Sequence, residues 1–131
     1  MRVMLDSNVL LSALLFPGET MNKLMSKVTT EYNLVQSSYI IDEIIEVTHR
    51  KFPTKVTVVQ DLLNQLTYEF VHTPEKPESN LFEIRDVKDY PTLYSAIIEH
   101  VDVFVTGDKD FEDVEVSKPE ILTPAEFVEK Y

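Results

Sequence analysis

Asp6 closes a short apolar run that begins at Arg2, and Asp108 follows a second run, VDVFVT, with Gly107 between them to let the backbone turn. Asp89 stands where a helical pattern begins, and that pattern leads into the second run. Glu43 lies in SSYIIDEIIEVTHRKF. On a wheel of about 100° per residue, Ile40, Ile41, Ile44 and Val47 form its buried sector. Asp42 and Glu46 point away from that sector, and Glu43 falls on its border, so Glu43 is the acid of this helix placed to reach inward. Each acid also has an ordinary use. Asp6 before Ser7-Asn8 and Asp89 before Pro91 suit helix caps, Glu43 suits a partly covered surface, and GDKD suits an acidic turn. Gathered in one crevice they would do something else. Two like charges about 5 Å apart at an effective dielectric near 20 repel by roughly 3 kcal/mol. Converging carboxylates therefore need protons, positive side chains or a cation, and Lys109 is one charge against several. A divalent metal answers this economically, and oxygen-only ligands favour Mg²⁺ or Mn²⁺.

The elements that must position these acids alternate in type. Strands are expected at Arg2 to Asp6, Tyr32 to Ser37, Glu69 to Thr73, Val103 to Thr106 and Glu120 to Thr123. Helical spacing runs from Asn8 to Phe16, where Pro17 and Gly18 break it, and from Thr20 to Val28. It resumes from Tyr39 to Lys51 behind Ser38 as N-cap, then from Pro53 with Val58, Leu62, Leu63 and Leu66 inward. Further helices are expected over Thr92 to Val101 and from Pro124, which suits a first helical position. Near-continuous apolar strands between helices indicate an α/β protein. Its expected form is a three-layer α/β/α sandwich around a central, mostly parallel sheet of about four or five strands. In such sheets ligands bind beyond the carboxyl ends of the strands, which is where Asp6 and Asp108 fall.

Composition narrows the classes. The chain of 131 residues carries 12 Lys and Arg against 23 Asp and Glu, a net charge of −11, with 44% hydrophobic residues. That suits one domain over 1–131 and excludes a disordered acidic tail. No apolar stretch approaches the roughly 18 residues of a membrane span. There is no Cys, which removes disulfides and thiolate chemistry and fits a reducing, cytoplasmic setting. Two Gly leave no Gly-rich phosphate cradle, and the negative charge argues against holding nucleic acid by a broad basic face. A cleaved leader is not expected, because Asp6 and Asn8 interrupt the first apolar segment. HTPEKPESN, from His72 to Asn80, reads as a loop inside the domain.

Four segments in order, DSNVLLSALLFPG, SSYIIDEIIEVTHRKF, RDVKDYPTLYSA and VDVFVTGDKDF, together with the ending ILTPAEFVEKY, resemble the PIN-domain nucleases. The likeness is to the toxin-like (VapC-like) branch of small bacterial and archaeal members. It implies Asp6, Glu43, Asp89 and Asp108 as the catalytic, metal-holding acids. Asn8 and Thr106 would support them, and Asp110 would be an accessory acid. Tyr90 stands where the branch often has Asn, so Asp86 and Asp89 both remain candidates for the third acid. The helix-start position and the seven-residue spacing to Ala96 favour Asp89.

The resemblance implies a metal-dependent endoribonuclease cutting single-stranded RNA with one or two Mg²⁺ or Mn²⁺ ions. Its products would carry 5′-phosphate and 3′-hydroxyl ends. It also implies a toxin–antitoxin context, with an antitoxin partner and a homodimer; Leu14, Leu15 and Met21 are candidate contact points that serve equally well as core. Arg50, Lys51 and Lys55 form the clearest basic cluster and are candidate RNA contacts, though a solvated helix end explains them too. Tyr39, Tyr90 and Tyr94 are at element edges where stacking on bases competes with packing. The competing functions are a non-catalytic PIN-like domain that binds RNA or protein, and a Mg²⁺-dependent phosphatase-like or receiver-like domain. A haloacid-type phosphatase wants Asp-x-Asp after the first strand, and here Ser7-Asn8 follows Asp6.

Overall fold

The computed structural model describes all 131 residues, Met1–Tyr131. Five strands form one sheet in the order β3-β2-β1-β4-β5: β1 (Arg2–Leu5), β2 (Asn33–Ser37), β3 (Glu69–Val71), β4 (Val103–Val105) and β5 (Glu120–Leu122). Every neighbouring pair is parallel, so the mostly parallel sheet expected from sequence is wholly parallel. The helices are α1 (Ser7–Leu15), α2 (Glu19–Ser26), α3 (Ser38–Lys51), α4 (Val56–Gln65), α5 (Tyr90–Ile98) and α6 (Pro124–Lys130). The protein is an α/β fold.

The central strands are apolar on both faces because both faces are covered. Val3, Met4 and Leu5 of β1 and Phe104 and Val105 of β4 have no exposed surface. By the right-handed rule for parallel crossovers, this strand order places the helices that follow β1 and β2 on one face and α5 on the other. Five consecutive α5 residues, Thr92 to Ala96, are buried, which marks a helix covered around its whole circumference. No helix is long and apolar enough to cross a membrane.

Local chemistry explains the departures from the expected boundaries. Ser37, and not Ser38, caps α3 by accepting from Ile40 N at 3.3 Å. The Ser38 hydroxyl instead accepts from Thr73 N at 2.9 Å, tying the end of β3 to the start of α3. A 3₁₀ turn at Pro53–Lys55 delays α4 to Val56 and shifts its register, so Val59 and Leu63 are buried and Val58, expected inside, is exposed. After α2 the chain widens into a π-helical turn, Lys27–Glu31. There Thr29 and Thr30 donate their hydroxyls to the carbonyls of Met25 and Ser26, each at 2.6 Å.

The order of the strands reverses beside β1: the chain moves outward to β2 and β3, then returns to lay β4 on the other side. This switch point between β1 and β4 is where open α/β sheets leave a crevice beyond their strand ends.

Candidate metal centre

Asp6 stands at that switch point. Its N–H continues the ladder past β1 by donating to the Val105 carbonyl at 2.9 Å, and its own carbonyl accepts from Leu10 N to begin α1. The carboxylate bridges two elements. Oδ1 accepts from Ser7 N at 2.8 Å, and Oδ2 accepts from the Thr106 hydroxyl at 2.8 Å. Thr106 also accepts from Asp108 N at 3.0 Å, which fixes the turn on which Asp108 is carried. Asp108 Oδ1 in turn accepts from Asp110 N at 2.9 Å and opens the 3₁₀ turn Lys109–Phe111.

Glu43 arrives from the second turn of α3. The helical wheel holds: Ile40 and Ile44 are buried, Asp42 and Glu46 are exposed, and Glu43 is half-buried. Its Oε1 accepts from the Ser7 hydroxyl, so Ser7 joins Asp6 to Glu43 through its backbone and its side chain respectively. The resemblance gave supporting roles to Thr106, which bonds Asp6, and to Asn8. Asn8 is exposed and lines a shallow hollow with Gly107, Asp108 and Met21. The signal for Ser7 was its place directly after Asp6, inside the DSN segment.

Asp89 sits at the junction of the 3₁₀ turn Val87–Asp89 and α5, in the capping position, yet its side chain makes no cap hydrogen bond. Its Oδ2 is buried without any partner. Asp86 performs the local capping by accepting from Lys88 N at 3.0 Å, and it is exposed. The two candidates for the third acid thus differ in kind: Asp86 is occupied with its own turn, and Asp89 presents a free oxygen inward.

The acids repel one another. Burial is the main cause that raises Asp6 to about 6, helped by Glu43 and Asp108 and opposed by the hydrogen bonds from Thr106 and Ser7. Burial likewise leads in raising Asp89 to about 7, followed by the charges of Asp108, Asp6, Asp86 and Asp110. Carboxylate oxygens of Asp86, Asp89 and Asp110 all lie within 4.8 Å of one another. Asp89 therefore belongs both to the inner set with Asp6 and Asp108 and to an outer set with Asp86 and Asp110. None of Asp6, Glu43, Asp86, Asp89, Asp108 or Asp110 is in an ion pair. An unpartnered buried oxygen, a surplus of carboxylates and an oxygen-only donor set together fit a hard divalent cation.

The other residues singled out from sequence fall outside this cluster or serve it indirectly. Tyr39, one turn before Glu43, donates its hydroxyl to the Lys88 carbonyl at 2.8 Å and so ties α3 to the turn bearing Asp89. Burial, then Glu43, Asp89 and Asp86, raise its pKa. Tyr90 stacks between Phe82 at 4.3 Å and Tyr94 at 5.9 Å and packs the loop before α5. Arg50, Lys51 and Lys55 are exposed at the far end of α3, and Arg50 pairs with Glu46 at 3.6 Å. Glu43 and Lys51 are about 12 Å apart along the helix axis. Leu14, Leu15 and Met21 are half-buried against the core.

Acids from several elements lie near the switch point of a parallel sheet. The PIN domain family matches residues 2–110, and the chain belongs to that family, whose members are nucleases that generally use divalent metals. Among solved structures, a chain of the crystal structure of VapBC2 from Rickettsia felis bound to a DNA fragment from their promoter shares the fold. Its TM-score is 0.70 at 18% identity, covering 93% of this chain and 97% of that one. Comparison with curated proteins gives no match.

Proposed function

We propose that this protein is an endoribonuclease that cleaves single-stranded RNA with one or two Mg²⁺ or Mn²⁺ ions held by Asp6, Glu43, Asp89 and Asp108. The observation that supports this reading is the buried, partnerless Oδ2 of Asp89, whose carboxyl is acted on by the charges of Asp108 and Asp6 as well as those of Asp86 and Asp110. A divalent ion held there would supply Lewis-acid chemistry for in-line hydrolysis, the activation of a water and charge balance on the phosphate. The protein's own residues do the positioning. Thr106 donates to Asp6 Oδ2 and leaves that carboxylate with a fixed orientation. Ser7 donates to Glu43 and keeps it turned from solvent toward Asp6. Asp108 is held by its own backbone through Thr106, and Asp110 lends accessory charge. Without a cation, burial and the charges of Asp108, Asp6, Asp86 and Asp110 push Asp89 up to about 7, so that it is only partly ionised at neutral pH. Hydrolysis breaks the bond to the 3′ oxygen and leaves 5′-phosphate and 3′-hydroxyl ends.

The biological setting we propose is supported by the shared fold with a chain of the VapBC2 crystal structure. We place this protein in the toxin-like branch, as a cytoplasmic toxin restrained by an antitoxin and acting as a homodimer. Arg50, Lys51 and Lys55 would meet the RNA backbone beyond the centre. A labelled RNA incubated with Mn²⁺, with EDTA, and with Asp6→Asn tests the core of the proposal. Cleavage is expected only for wild type with metal; cleavage that survives both chelation and the substitution would end it.

A further inference from the structure

Gln36 is a fully buried polar side chain in a strand that is otherwise apolar at its centre, NLVQS. A buried amide must have partners, and here they reveal how the sheet is built. β1 and β2 pair only at Arg2↔Asn33 and Val3↔Leu34. Beyond that, β1 stays with β4 as far as Leu5↔Val105, while β2 stays with β3 as far as Ser37↔Val71. The two central strands part at their carboxyl ends, and the Leu5 peptide groups that face β2 lose their strand partners. The Gln36 side chain replaces both. Its Oε1 accepts from Leu5 N at 2.8 Å, and its Nε2 donates to the Leu5 carbonyl at 3.0 Å. A primary amide carries donor and acceptor together and so stands in for a peptide group across the gap.

The residues on either side of this bridge lead to the acids. Asp6 follows Leu5 directly. Ser37 follows Gln36 and caps α3, which carries Glu43, and Ser7 closes the circuit by bonding Glu43. We propose that Gln36 is a positioning residue for the metal centre: its amide holds β1 and β2 at the separation at which Asp6 and Glu43 face one cation. It acts through Leu5 and Ser37 and touches neither cation nor substrate. This rests on the nuclease reading above.

The test compares wild type with Gln36→Met, which keeps the length of the side chain and removes the amide. Gln36→Asn keeps the amide one methylene too short to reach both Leu5 groups. Leu63→Ala, a cavity in α4 that bonds neither Leu5 nor Gln36, controls for lost stability. Mn²⁺ binding is followed by loss of the free-ion paramagnetic resonance signal, and the Leu5 amide by hydrogen exchange. Gln36→Met is expected to lose about 10–100-fold in Mn²⁺ affinity. Its Leu5 amide should exchange faster, and kcat should fall while KM for RNA stays unchanged. Leu63→Ala should bind Mn²⁺ as wild type does. If Gln36→Met fails to fold, Gln36→Asn carries the same expectation. A Gln36 variant that folds and binds Mn²⁺ like wild type overturns the positioning role and leaves the nuclease reading standing. Wild type that binds no Mn²⁺, or binds it equally as Asp6→Asn, overturns the metal centre and the role of Gln36 with it.

Discussion

Thr106 and Asp6, 100 residues apart in the chain, share a 2.8 Å hydrogen bond across the seam between β4 and β1. The same hydroxyl accepts from Asp108 N at 3.0 Å. One side chain thus orients the Asp6 carboxylate and fixes the turn that carries Asp108, a use for a polar residue at the end of an otherwise apolar run.

Thr106→Val keeps the shape and removes the hydroxyl. Asp6 Oδ2 and Asp108 N then lose a buried partner, which costs about 1–3 kcal/mol in urea unfolding. Divalent-cation affinity should fall roughly 10–100-fold. Unchanged Mn²⁺ affinity in a folded Thr106→Val protein would show that the hydroxyl does not orient the acids.

The metal-free protein should be less stable at alkaline pH. Asp6 is raised from 3.8 to about 6 and Asp89 to about 7, so the native state binds these protons more tightly than the unfolded chain. The stability they contribute is full below about pH 4 and is lost as pH rises through about 6 to 7. For Asp6, which is nearly buried, the shift is worth about 3 kcal/mol. In EDTA, the stability of Asp6→Asn relative to wild type should therefore rise by about 3 kcal/mol between pH 4 and pH 8. A flat difference across that range would contradict a buried, destabilising carboxylate at this position.

A cation that neutralises this repulsion must also stabilise the fold. At a concentration a hundredfold above its Kd, Mn²⁺ should add about 2.7 kcal/mol at pH 8. In a chain of this size that is roughly an 8 °C rise in Tm. EDTA should reverse the rise, and Asp108→Asn should remove most of it. An equal rise in wild type and Asp108→Asn would place the cation elsewhere.

The sequence carried the framework of this site because its signals were local. Short β-branched or apolar runs such as VML and VFV, set between helical segments, read as central strands, and the acids that follow them are visible nearby. Glu43 was legible from the 3.6-residue period, which separates it from Asp42 and Glu46 without any tertiary information. What escaped depends on partners distant in the chain. Ser37 and Ser38 are equal as caps until Thr73 occupies Ser38. Val58 and Val59 differ by one position, and the turn at Pro53–Lys55 decides which of them faces inward.

Ser7, Tyr39 and Gln36 escaped for a related reason. Their work lies in hydrogen bonds to Glu43, to the Lys88 carbonyl and to the Leu5 backbone, and none of these has a spacing rule. Asp86 and Asp89 could be ranked from sequence only by position; the structure separates them by what each carboxylate bonds.

The basic cluster yields a prediction about RNA affinity. Replacing Arg50, Lys51 and Lys55 with Ala should reduce the slope of log K against log salt for single-stranded RNA by up to about 2, at roughly 0.7 per phosphate contact. Cleavage of a short RNA that does not extend beyond the centre should be unaffected. A slope identical to wild type would assign these residues to the solvated end of α3 alone.

The most direct measurement is anomalous scattering from crystals soaked in Mn²⁺. A peak is expected among the carboxylates of Asp6, Asp89 and Asp108, with Glu43 beside it and the formerly partnerless Asp89 Oδ2 turned onto the ion. Density confined to the outer side, between Asp86 and Asp110, or no peak at the switch point, would contradict a shared cation in this crevice.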